Sequence, residues 1–119
     1  MTQFYADLPL RIQEMAEGDE EFRIELTQAI YQGLLELKEK YVEGLQEHDM
    51  VKIQQIRHKV KPTLAMFDLV LLTDCLQHGK EILEAEGFNA DFKDHFQDFS
   101  SKVDQAILEV KTLVRTSDN

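Results

Sequence analysis

With one cysteine, two prolines and five glycines among 119 residues, the chain leaves little room for several kinds of protein. Cys75 alone cannot close an internal disulfide, so the fold must rest on its core. The opening MTQFYADLPL has no basic segment followed by an apolar one, so no secretory signal is expected, and the cytoplasm is the expected compartment. No run approaches the ~20 apolar residues of a membrane span. Positive charge is scarce too: 13 Lys and Arg stand against 23 Asp and Glu, for a net charge of −10. Nucleic acid and anionic membranes would repel such a chain, so neither is an expected partner.

What is present is ordinary for one globular domain. Hydrophobic residues make up 43% and charged residues 30%. A chain of this length buries roughly two-thirds of its unfolded surface, enough for a single core over residues 1–119. Apolar residues recur at helical spacing between breaks at Gly18-Asp19, His48-Asp49, Phe67-Asp68 and Gly87-Phe88-Asn89.

Five helices are expected. The first runs from about Asp7, as its cap, to Glu17, with Leu8, Ile12 and Met15 on one face and Pro9 in the first turn. The second runs from Asp19 to about Gln46 on a stripe of Phe22, Leu26, Ile30, Leu34, Leu37, Tyr41 and Leu45. The third starts near Asp49. The fourth runs from Asp68 to Glu86 with Leu69, Leu72, Leu76 and Leu83 inward, and Gly87 ends it. The fifth begins near Asn89 or Asp91 on Phe92, Phe96, Phe99, Val103, Ile107, Val110 and Leu113, and residues Thr116 to Asn119 are expected to fray. Nothing alternates with period two. The expected fold is all-α: an antiparallel up-down-up-down four-helix bundle with a short N-terminal helix across one end.

The third helix carries the chemistry. Three of the thirteen basic residues, Arg57, Lys59 and Lys61, fall within five positions and flank His58. At about 100° per residue, Ile53, Ile56, Val60, Leu64 and Phe67 occupy one arc of roughly 80°, and His58 lies about 150° from its centre. The imidazole should therefore face solvent, near Gln54, Lys61, Pro62 and Ala65. Pro62 offers no N–H to the His58 carbonyl, so the helix should be weakened or bent there. Cationic neighbours disfavour the charged form of an imidazole and would offset the charge of a phosphoryl group placed on it. Lys61, one turn along, is best placed to do so. A plain surface histidine beside lysines has the same pattern.

This segment resembles the phosphoacceptor helix of histidine-containing phosphotransfer (HPt) domains, whose signature is His-x-x-Lys-Gly, small residues, then Gly-Leu at the helix end. Here it reads His58-Lys59-Val60-Lys61-Pro62-Thr63, with Leu69 in the Leu place. AEGDEEFRIELTQAI is similar to the start of the family's first long helix, and the likeness covers about residues 10–115. The resemblance implies a carrier rather than an enzyme. His58 would take a phosphoryl group from the aspartyl phosphate of a receiver domain and pass it to another, with no kinase activity of its own. Receiver domains of response regulators or hybrid histidine kinases are the implied partners. The magnesium belongs to the receiver, and no cofactor is implied here. The alternative is a bundle that binds such a partner without transfer.

Three positions depart from the family pattern. Pro62 stands where glycine is usual. Asp68 replaces the helix-ending glycine, where it is expected to cap the next helix. Lys80, after Gly79, falls where many members carry a glutamine near the histidine. The other histidines, His48, His78 and His95, are expected to be solvated or capping, since their spacings fit no zinc pattern. Cys75 is expected to be a buried thiol, and the phenylalanine row to be core.

Overall fold

A computed structural model describes residues 5–117, with side chains through Val114. Its five helices are α1 (Leu8–Ala16), α2 (Glu20–Glu47), α3 (Met50–Met66), α4 (Val70–Glu86) and α5 (Ala90–Ser117), with no strand among the described residues. The expected fraying at Thr116 is not seen, since α5 continues to Ser117; Asp118 and Asn119 lie outside the described residues. None of the helices is long and apolar enough to cross a membrane.

Polar starts set the helices in place. The Asp19 carboxylate accepts the Phe22 N–H at 3.0 Å, Asp49 accepts that of Lys52 at 3.0 Å, and Asn89 accepts that of Phe92 at 3.1 Å. Asp7 is at the start of α1 but makes no side-chain cap. Asp68 does not cap α4 either: Leu69 occupies that place, and Asp68 adopts a left-handed conformation with φ 58°. There it closes α3, with Asp68 N–H reaching the Ala65 carbonyl at 3.3 Å and Leu69 N–H the Leu64 carbonyl at 2.9 Å. These two bonds satisfy carbonyls left open at a helix end, in a turn that normally uses glycine. Pro62 neither ends nor divides α3, which is one helix from Met50 to Met66.

Helix α2 packs on α1, α3 and α5, and α4 packs on α3 and α5. Ion pairs record the direction of these contacts: Lys52 meets Glu43 and Glu47, while Lys59, two turns on, meets Glu36. Lys38 likewise pairs with Asp104, and Tyr41 stacks on Phe99 with ring centroids 4.1 Å apart. At 28 residues each, α2 and α5 are about 42 Å long, which sets the 47 Å long dimension of the molecule. Helices α3 and α4 have 17 residues each, so they cannot cover the full length of α2 and α5. Helix α1 packs against α2 and reaches the α3–α4 turn through Arg11–Asp68, while Tyr5, just before it, reaches α5 through its N–H to Glu109 at 3.1 Å.

The core joins all five helices through the expected stripes. Ile53, Ile56, Val60, Leu64 and Phe67 of the third segment and Leu69, Leu72, Leu76 and Leu83 of the fourth are all buried. Two residues depart from expectation. Phe22, in the first turn of α2, is 42% exposed, and Met15 is 37% exposed while Ala16 is buried in its stead.

Candidate functional site

The α3 backbone distributes the basic residues to two sides. Arg57, His58 and Lys61 line a groove of about 410 Å³ between α3 and α4. Lys59, 100° round the helix from His58, is directed to α2, where its ammonium lies 2.7 Å from Glu36. It is therefore not part of the groove. Pro62 and Ala65 are exposed on α3 but do not line the groove. His58 is exposed at the groove wall, as its place on the helical wheel requires.

Helix α4 supplies the opposite wall. Thr73, Asp74, Gln77, Lys80 and Glu84 line it at successive helical steps, over a floor that includes Leu64, Leu76 and Leu83. Lys80, the position singled out by spacing, thus shares the groove with His58. Gln54, an expected neighbour of His58, lines the groove as well, whereas Gln77, one turn before Lys80, and Asp74 and Glu84 are not among the expected residues. The signal was available in the sequence, because residues 73, 77, 80 and 84 repeat at the same steps as the neighbouring core stripe.

Most of the basic side chains are matched with acids. Arg11, Arg23, Lys38, Lys40, Lys52, Lys59 and Lys102 are each within ion-pair reach of a carboxylate. Among the described residues five cations make no ion pair, although acids outnumber bases by ten in the chain: Lys93 and Lys111 on α5, and Arg57, Lys61 and Lys80, which all line this one groove. Three cations without an ion pair, from two helices, therefore line the groove with one exposed imidazole and outnumber its two acids, Asp74 and Glu84. Such a place favours an arriving anion.

No family model, curated protein or solved structure matches this chain.

A second group of polar side chains lies inside the core. His95 is only 4% exposed, contrary to the expectation of a solvated or capping histidine. Its Nε2 is 2.7 Å from the Tyr41 hydroxyl, and Nδ1 is 4.0 Å from Cys75 Sγ. Burial pushes the His95 pKa down to about 4, with His78 adding to the effect. Burial likewise pushes the Cys75 thiol up to about 12, helped by the Asp98 carboxylate 3.7 Å away. Burial also raises the Tyr41 phenol. These shifts keep the whole group neutral at pH 7. His48 does end a helix, as the C-cap of α2 with φ 51°, and stacks on Phe88 at 4.9 Å. His78 is exposed. Among the described residues no three His, Cys, Asp or Glu side chains are grouped to hold a metal ion.

Proposed function

We propose that this chain is a phosphorelay carrier of the HPt kind: an antiparallel four-helix bundle, with α1 across one end, that carries a phosphoryl group on His58. The observation that supports the reading most directly is the exposed His58 imidazole in a groove where Arg57, Lys61 and Lys80 are left without carboxylate partners. In an acidic chain, that arrangement suits the transient holding of an anion on histidine.

In this reading the unprotonated ring nitrogen of neutral His58 attacks the phosphorus of a receiver's aspartyl phosphate. A nitrogen–phosphorus bond forms, the bond from phosphorus to the acyl oxygen breaks, and the aspartate leaves as its carboxylate with the bonding electrons. The other ring nitrogen keeps its proton. Lys61, a turn along from His58, offsets charge on the phosphoryl oxygens, with Arg57 beside it and Lys80 across the groove. The reverse chemistry delivers the group to a second receiver. The magnesium is the receiver's, the chain itself is not an enzyme, and the cytoplasm is where such partners would meet it.

The test is to incubate the chain with phosphorylated receiver domains from its own cell and follow the label. His58→Gln should abolish uptake and leave helicity unchanged, since an exposed side chain contributes little packing. Equal labelling of that variant would sink the assignment. Receiver binding without labelling of the wild-type chain would instead select the alternative, a bundle that docks but does not transfer. Lys61→Ala should slow transfer without stopping it.

A further inference from the structure

The α3–α4 groove offers more than a phosphoryl acceptor uses. Its volume of about 410 Å³ falls within the range of roughly 300–1,000 Å³ typical of small-molecule sites. Its floor includes Leu64, Leu76 and Leu83, which are only 2–5% exposed, so the apolar side chain most open to a ligand is Met50, 44% exposed at the start of α3. A phosphoryl group alone has no apolar atoms to set against these side chains. Three cations and an apolar end at Met50 together match a ligand with one anionic head and an apolar body.

We propose that this groove binds a small organic phosphomonoester, its head among Arg57, Lys61 and Lys80 and its body toward Met50. Asp74 and Glu84 on the α4 wall select against a second anionic group, so a single phosphate is favoured over a polyphosphate. Such a ligand occupies the space beside His58 and competes with phosphoryl uptake. That regulatory role rests on the phosphorelay reading; the binding itself does not.

Phenyl phosphate is a suitable probe, with inorganic phosphate and phenol as the separated halves. Titrations of the full chain are followed through the methyl resonances of Met50, with those of Leu64, Leu76 and Leu83 below it. Phenyl phosphate should bind saturably and at least about tenfold more tightly than inorganic phosphate, because burying its ring adds a hydrophobic contribution. Lys80→Gln should weaken binding several-fold and the pair Arg57→Gln with Lys80→Gln further, at unchanged helicity; if the pair fails to fold, the single variant decides. Equal affinity for phenyl phosphate and inorganic phosphate, shifts centred on Lys93 or Lys111, or undiminished binding by Lys80→Gln would each overturn the proposal. A receiver transfer assay run alongside separates the two readings. Binding without any transfer would overturn the phosphorelay alone, and transfer without saturable binding would overturn the ligand site alone.

Discussion

Gly79 shows how a missing side chain can hold a buried polar pair in place. A Cβ there would run into His95 Nε2 and come within 2.6 Å of the Tyr41 hydroxyl, the two atoms that hydrogen-bond each other. Helix propensity alone favours alanine over glycine by roughly 1 kcal/mol. Packing should win here, because both colliding groups are buried and tied together. Gly79→Ala should therefore lower stability by about 1–3 kcal/mol, read as a fall in thermal midpoint; a rise would mean that the pair can move aside freely. Cys75 beside it should be inert. With its thiol pushed up to about 12, iodoacetamide at pH 8 should react slowly with the native chain and rapidly in urea. Fast native labelling would show that the core opens there. The burial of Cys75 was legible from its place among Leu72 and Leu76. That of His95 was equally encoded, three residues after Phe92 and four before Phe99, but a polar residue on an apolar stripe is ambiguous until its partner is known. Here the partner is Tyr41, 54 positions away, a pairing that local spacing cannot reveal.

Among the elements, α3 combines two unfavourable backbone features. Pro62 lies inside the helix, so the His58 carbonyl loses its i+4 donor, and Asp68 beyond its end has φ 58°. Pro62→Ala restores a donor and relieves the ring clash, and should stabilise the fold by up to about 3 kcal/mol. Asp68→Gly should gain on the order of 1 kcal/mol by removing a Cβ from a left-handed site. It loses only the exposed Arg11–Asp68 pair, which contributes little. Denaturant midpoints of both variants check this, and a destabilised Pro62→Ala would mean that proline rigidity outweighs the missing bond. Pro62→Phe asks a different question: if receivers dock over this exposed position next to His58, it should block transfer with the histidine intact, and a wild-type rate would place docking elsewhere. The existence and type of all five helices were legible from apolar periodicity, with capping side chains in agreement at the starts of α2, α3 and α5. The misjudged details lie at helix ends. A stripe shows which face is apolar but not where the partner helix stops, so Phe22 was assigned to the core. A residue such as Asp68 can cap forward or turn left-handed, and the tertiary path of the chain decides between them.

For the molecule as a whole, the interior histidine makes stability depend on pH in a defined window. Burial holds the His95 pKa down to about 4 from an ordinary value of 6.5, while His78, Lys102, Cys75, Asp98 and Tyr41 surround it. Between those two values the unfolded chain carries more protons than the folded one, so stability rises with pH there. The contribution is fully present above about pH 6.5 and is lost as the pH falls toward 4. Its size is up to about 3 kcal/mol, a large share of the roughly 5–15 kcal/mol that holds a typical domain together. Two other acid effects must be separated from it. Asp98 is held below the ordinary carboxylate range by its hydrogen bond to Lys102, so its contribution disappears only at lower pH. The net charge of −10 acts in the opposite sense, because protonating carboxylates relieves self-repulsion. Both effects are shared by a His95→Gln variant, whose amide can still reach the Tyr41 hydroxyl but cannot titrate in this range. The informative quantity is therefore the difference between wild type and variant in urea unfolding at several values from pH 7 to pH 4. That difference should shrink on acidification, as wild type loses the stability that its neutral histidine supplies. If the two curves stay parallel, His95 is as easily protonated in the folded chain as in the unfolded one, and the Tyr41–His95 pair does not form the closed, neutral centre of this core.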